Sequence, residues 1–276
     1  MGQCSTDCSK GIRGCTLIRD TLHRFCTTTA DMRAANLKIP WDRNLGLTLQ
    51  NEDRSWLDDY AAFYYKWSHC RDCRLCHTRG QSAPGTGSLS PKVLVIGEAP
   101  GPVEDEQGIP FVGPTGTLLR ETMKKVGFDL YNDVYFTNVV SCIPRDTRNS
   151  KFRAPTNTEA TACLERLNYI VNTLCRDTKV VILLGAVAML GWQRLMHPQT
   201  DLTILENQIR VGKSIGWSQD DNFKLYTTYH PSFIERHKKL SDAIKFKSLY
   251  QDWIYDFVVV KKFINEGVGR DNPRRQ

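Results

Sequence analysis

Apolar residues gather in four short runs along the chain: Lys92–Ile96 (KVLVI), Val134–Thr137 (VYFT), Val180–Leu184 (VVILL) and Leu225–Tyr229 (LYTTY). Runs of this length, rich in β-branched and aromatic residues, predict strands buried on both faces, as in a parallel sheet. Between them the apolar spacing changes to a helical period. A helix is predicted from Thr115 to Val126, stopped by Gly127. Another runs from Thr156 to about Cys175, opened by the capping-box pair Thr156 and Glu159. A third starts at Ala186, and a long amphipathic helix from about Ser241 to Ile264 closes the pattern. Strands separated by helices imply an α/β fold, a three-layer sandwich whose central four-stranded parallel sheet is flanked by helices.

Upstream of the first strand the pattern is weaker. Gln81–Pro91 is rich in Gly, Ser and Pro and reads as a loop, while Trp56–Trp67 reads as an aromatic-rich helix packing on the main domain. Residues 1–50 show no sustained period beyond a short helix at Thr16–Arg24. We therefore divide the chain into an N-terminal extension, 1–55, and an α/β domain, 56–276. No apolar run approaches the ~20 residues that span a bilayer, and the N-terminus lacks the apolar core of a secretory signal, so an intracellular protein (cytoplasm or nucleoid) is expected. Met1-Gly2 with Thr6 fits the short N-myristoylation pattern, and Cys4 sits where a palmitoylated cysteine could. That pattern is common by chance, and lipid anchoring is not expected.

In parallel sheets ligands bind beyond the carboxyl ends of the strands. Just past those ends come Gly97-Glu98-Ala99-Pro100-Gly101, then Asn138, then Gly185, then His230-Pro231-Ser232. Singly these read as a turn acid, a capping amide and a loop histidine. Together, at corresponding positions, they predict an active site. The net charge of +7 is compatible with a polyanionic partner. Arg145, Arg148, Lys151 and Arg153 crowd one loop, and Arg236, His237, Lys238 and Lys239 another, although either cluster alone reads as a solvated face.

Ten cysteines are many for a reducing compartment. Cys70-x-x-Cys73 and the overlapping Cys73-x-x-Cys76 are metal-binding elements, while Cys142 and Cys163 follow singly. The usual zinc patterns, with a second CxxC or an Hx3–5H pair, are missing. Four thiolates, two paired and two dispersed, can hold a cubane cluster. Tetrahedral zinc is the competitor, and Cys142 and Cys163 as plain core residues is the bland alternative.

Gly97–Leu119 (GEAPGPVEDEQGIPFVGPTGTLL) resembles the first motif of the family 4, iron–sulfur, uracil-DNA glycosylases. Three further pieces agree in order. Cys70-Arg-Asp-Cys73-Arg74-Leu75 resembles the leading CxxC-R-L, Thr137–Cys142 (TNVVSC) with Pro144 and Cys163 resembles the TNVVKC-P-…-C segment, and His230-Pro231-Ser232 resembles the second catalytic motif. The likeness covers about Cys70 to Ile264. It implies a 4Fe–4S cluster on Cys70, Cys73, Cys142 and Cys163, with Cys76 left over. It also implies excision of uracil from single- or double-stranded DNA by a monomer with no membrane partner.

By the same resemblance Phe111 stacks on the flipped base and Asn138 reads its edge, its amide matching uracil N3–H and O4 but not cytosine. His230 donates to O2 as the base leaves as an anion. Glu98 positions the water, with Ala99 beside it where the best-known uracil glycosylases have an aspartate. Glu104 is expected to crowd the C5 side of the base and exclude thymine. Pro102 and Val103 depart from the often acidic pattern there, which bears on the base range. Gly101, Ser232, Arg236, Lys238 and Arg148 are expected at phosphates, and Phe233 and Ile234 either wedge into the vacated stack or pack beneath their loop. A glycosylase for a modified base and an inactive DNA-binding relative are the competing readings. Arg148–Pro155 (RNSKFRAP) lacks the histidine of the covalently acting relatives.

Overall fold

The computed structural model describes residues 54–88, 90–176, 178–199, 216–220, 223–238 and 243–267. The expectations for Thr16–Arg24, the lipidation pattern, Cys4, Cys8, Cys15 and Cys26 lie outside the described residues. The chain divides into two units at Lys66–Trp67. Helix α1 (Arg54–Ser68) runs across that division, and the sheet belongs to the second unit.

The four predicted strands form the centre of the sheet. They are β2 (Val93–Gly97), β3 (Val134–Asn138), β4 (Val180–Leu184) and β6 (Phe223–Thr228), parallel throughout in the order β3-β2-β4-β6. Among the described residues the sheet has six strands rather than four. Strand β1 (Thr86–Gly87) pairs antiparallel with β3, and β5 (Gly216–Asp220) pairs antiparallel with β6. Neither edge is visible in the hydrophobic pattern: β1 is two residues inside a Gly/Ser-rich loop, and GWSQD has the polar character that edge strands need to resist further pairing.

Helix α3 (Pro114–Lys125), helix α6 (Gly185–Met196) and helix α8 (Ala243–Glu266) match predicted helices. The helix predicted from Thr156 to Cys175 is instead broken into α4 (Asn157–Ala162), α5 (Leu164–Tyr169) and a wider turn at Ile170–Leu174. Cys163 stands at the first break, its amide bonding to Ala160 O in a tighter turn. Two short helices, α2 (Pro102–Gln107) and α7 (Pro231–Lys238), were not predicted; each begins at a proline, which suits the first helical position.

Strand residues alternate between the two faces. Val93, Val95, Val134, Phe136, Val180 and Ile182 share one core with Leu119 and Met123 of α3, Ile234 of α7, and Trp253, Phe257 and Val260 of α8. Helix α6 packs on β2, β4 and β6, with α5 beside it. The fully buried Asp256 of α8 accepts hydrogen bonds from Tyr226 Oη (3.0 Å) and Thr228 Oγ1 (2.5 Å), which fixes the end of β6 just before His230. Among the described residues no helix is long and apolar enough to cross a membrane.

Candidate active site

Parallel pairing brings Gly97, the last residue of β2, opposite Asn138, the last residue of β3. Asn138 is 2% exposed, and its Oδ1 has no hydrogen-bond partner. A buried acceptor left open costs about 1–3 kcal/mol, so this atom is suited to a ligand N–H. Phe111 comes to the same place from the loop ahead of α3. A Cβ on Gly97 would stand 2.5 Å from Asn138 Oδ1 and 2.6 Å from Phe111 Cζ. Only a glycine lets ring and amide meet there.

Phe111 is the one non-glycine residue with positive φ (58°) among the described residues, a conformation that costs about 1–2 kcal/mol. Its surroundings hold it there. Arg120 Nε donates to Phe111 O (2.8 Å) and Arg120 Nη2 to Pro110 O (3.2 Å), while the guanidinium lies 4.3 Å from the Phe136 ring centre. Burial lowers the Arg120 pKa to about 10, which still leaves it charged at neutral pH. Gly116 abuts the Phe111 backbone so closely that a Cβ would come within 2.2 Å of it.

His230 follows β6 and lies beside Gly185, where a φ of 81° and the 3.1 Å at which an added Cβ would meet His230 Cβ both favour glycine. The Ser232 backbone N–H donates to His230 Nδ1 (3.2 Å), and Ser232 Oγ lies 2.8 Å from the same nitrogen. Nδ1 is therefore an acceptor, and the neutral ring carries its proton on Nε2. Burial, with Arg236 adding to it, lowers the His230 pKa to about 4. Glu98, just past β2, is pushed above the usual carboxylate range by burial and drawn back by the charge of Arg236. Arg236 thus acts on both rim groups, and its Nη1 lies 3.4 Å from Ser232 Oγ.

The remaining predicted residues are placed less uniformly. Ala99 is half-buried after Glu98, and Gly101 caps α2. Lys238 and Arg148 are exposed, the former in the last turn of α7. Arg148 acts on Asp105 of α2 by charge, and Arg145 pairs with Asp105 at 3.4 Å. Glu104 is engaged otherwise than expected. Its Oε1 accepts from Gly113 N (2.7 Å) and its Oε2 from Gly101 N (3.1 Å), so it braces the two ends of the first motif. Phe233 stacks on Tyr229 (4.6 Å) and Ile234 is 1% exposed, so both pack beneath their loop. Arg120 and Arg166 escaped the sequence reading.

The cysteine lobe lies on the β3 side of the sheet. Burial raises the thiols of Cys70, Cys73 and Cys142, and the charge of Cys163 raises all three further. Cys142 acts likewise on Cys73. Arg79 donates to Cys142 Sγ (3.0 Å) and to the carbonyls of Cys70 (2.8 Å) and Ser68 (3.2 Å). Cys76 sits on the short turn Arg74–His77. Among the described residues, no group of three or more His, Cys, Asp or Glu is arranged to hold a metal ion.

Glu159 binds this lobe together. It takes Arg153 Nη1 (2.8 Å) and Nη2 (2.9 Å), Arg74 Nε (3.2 Å) and the Thr156 amide (2.8 Å). Asp146 joins the same two arginines. The Arg153 bonds hold the Glu159 pKa down to about 2. Glu159 is buried while its arginines reach solvent, and Glu159→Gln is expected to lose about 1–3 kcal/mol of stability in urea unfolding at pH 7. The deficit should shrink as pH falls from 4.5 toward 2, where the wild-type carboxylate is itself protonated. Unchanged stability at pH 7 would contradict this role.

The family model described as the uracil DNA glycosylase superfamily matches residues 84–254. The Type-4 uracil-DNA glycosylase of Pyrobaculum aerophilum is 33% identical over 62% of this chain and 82% of its own. That of Archaeoglobus fulgidus is 38% identical over 60% and 77%, and that of Thermotoga maritima 32% over 61% and 79%. A strained aromatic, an open amide and a neutral imidazole gathered at the ends of parallel strands thus accompany a match across most of the sheet, and the chain belongs to the uracil DNA glycosylase superfamily.

Proposed function

We propose that this protein hydrolyses the N-glycosidic bond of uracil in DNA, leaving an abasic site, and that four cysteines hold a structural iron–sulfur cluster. The observation that carries the reading is the unsatisfied Asn138 Oδ1 beside Phe111 at the strand ends. Uracil taken out of the stack, at a cost of a few kcal/mol, lies on Phe111. Its N3–H donates to Asn138 Oδ1, and its O4 accepts from the amide nitrogen. Cytosine offers the reversed pattern and leaves both groups unpaired.

As the N1–C1′ bond breaks, its electron pair stays on the base and the sugar becomes oxocarbenium-like. His230 Nε2–H donates to O2, where negative charge grows. The Glu98 carboxylate offsets the sugar charge and orients a water; the water oxygen bonds to C1′, and its proton leaves through Glu98 for the departing uracil. Arg236, Ser232 and Gly101, with Arg148 and Lys238 farther out, meet backbone phosphates without reading sequence. All these groups come from one chain, so a monomer suffices, and an intracellular site of action beside DNA follows.

Cys70, Cys73, Cys142 and Cys163 are not drawn up around one metal centre in this structure, but the chemistry of the set suits an iron–sulfur cluster: four thiols from three segments, with Cys163 acting by charge on the other three and Arg79 beside Cys142 to offset thiolate charge. When bound, the cluster supplies a cross-link among those segments; iron and acid-labile sulfide analysis distinguishes it from zinc. The departures at Pro102 and Val103 favour one second reading, a modified base as the preferred substrate. Oligonucleotides carrying uracil, 5-substituted uracils, hypoxanthine, thymine or cytosine separate the two. Fastest cleavage at uracil is expected, and faster excision of a modified base would overturn it.

A further inference from the structure

We propose that Arg166 is a positioning residue for base recognition, holding the backbone of the uracil-reading segment from behind. Arg166 lies in α5, three residues after Cys163, and is 0% exposed. It forms no ion pair with a carboxylate among the described residues. Its Nη1 donates to Pro84 O (2.6 Å) and Thr137 Oγ1 (2.8 Å), and its Nη2 to Asn138 O (2.5 Å) and Val139 O (3.0 Å). Thr137 Oγ1 in turn donates to Pro84 O (2.8 Å).

A buried cation without an anionic partner is costly, and its Nε is left without a partner as well. What the guanidinium secures in return is local. The paired strands end at Gly97–Asn138, backbone bonds from Val139 N to Gly97 O (2.9 Å) and Val140 N to Glu98 O (3.2 Å) hold one side of the segment that follows, and the carbonyls of Asn138 and Val139 face the guanidinium. Thr137 and Asn138 point to opposite faces of the sheet. The arginine therefore grips the backbone from the α5 side while the Asn138 amide faces Phe111 on the other. Four donated bonds in a planar fork fix where that amide stands; lysine, a single point charge, cannot reproduce the fork.

This inference rests on the uracil reading. The test compares wild type, Arg166→Met and Arg166→Lys, each assayed well below its own unfolding midpoint. It reads single-turnover uracil excision, inhibition by free uracil, and affinity for abasic-site DNA. A misplacement of about 1 Å can cost ~10²-fold in rate. Arg166→Met is therefore expected to lose ~10²-fold in excision and ~10-fold in free-uracil affinity, with abasic-DNA affinity unchanged. Arg166→Lys should recover little. Should Met and Lys fail to fold, Thr137→Val removes the shared hydroxyl and is expected to weaken free uracil in the same way. Thr178→Val, which loses a buried hydrogen bond to Pro91 O (3.2 Å) at the opposite end of the strands from the rim, should leave free-uracil affinity intact.

Folded Arg166 or Thr137 variants that bind and excise uracil as wild type does would overturn the proposal. So would a loss that falls equally on uracil and abasic DNA, since a general structural role predicts that. Failure of the wild type to release uracil would instead sink the proposed function.

Discussion

Replacing His230 with alanine is expected to slow single-turnover uracil excision by about 10²–10³-fold, with folding and DNA affinity kept. A donor aimed at developing charge, in a site screened from water, is worth about 2.7–4 kcal/mol of transition-state stabilisation. The structure sets both the tautomer and the charge of this donor. The Ser232 amide points at Nδ1, so the mobile proton sits on Nε2. Burial lowers the His230 pKa to about 4, so the ring is neutral across the physiological range.

The excision rate should consequently show no inflection from His230 between pH 6 and 8. It should fall as pH drops toward 4, where a proton on Nδ1 would oppose the Ser232 N–H. Stability follows the same sign: the unfolded imidazole binds protons more readily, so the wild type loses stability as pH falls from 6.5 toward 4, and His230→Ala loses less over that window. An alanine variant as fast as wild type would remove His230 from the chemistry.

The second large effect is expected from the smallest change. Gly97→Ala needs no unusual backbone angle, since Gly97 is not among the positive-φ glycines. Its Cβ would nevertheless fall 2.5 Å from Asn138 Oδ1 and 2.6 Å from Phe111 Cζ. Neither can step aside freely. Phe111 is already held at φ 58° by Arg120 and Gly116, and Asn138 is fixed by strand register and by Arg166. Overpacking of this kind costs about 1–3 kcal/mol. The excision rate should fall ~10²-fold or more, because the two groups that hold the base are displaced together. Free-uracil binding measured beside thermal unfolding checks this; an alanine variant with wild-type affinity for uracil would mean that the base does not occupy this slot.

The central sheet was legible because strands buried on both faces write themselves as short apolar runs, and the rim followed because parallel strands place their carboxyl ends together. That logic sets Glu98, Asn138 and His230 at the strand ends, where the structure has them. The family resemblance pointed to Phe111, which lies beside Asn138, and suggested the grouping of cysteines. What escaped is what the pattern encodes weakly: the two-residue β1, the polar β5, the short helices α2 and α7, and the break at Cys163 within an otherwise helical stretch.

The buried Arg166 and the half-buried Arg120 escaped for another reason. A charged residue reads as surface unless its position on the helix is weighed. Arg120 follows Gly116 and Leu119 and precedes Met123; Arg166 follows Cys163 and precedes Leu167 and Ile170. Both stand on apolar stripes at helical spacing, the one local sign that they point inward. Glu104 shows the converse. Its motif position suggested a face toward the base, whereas its carboxylate is taken by two backbone amides of its own loop.

The most direct measurement is detection of the free base released from uracil-containing single strands and duplexes by anaerobically purified protein, beside a His230→Ala, Asn138→Ala double variant. Release of uracil by the wild type, with none from the double variant, is the predicted result. No uracil released by a folded, DNA-binding wild type, or equal release by both proteins, would contradict the assignment of uracil excision to this rim.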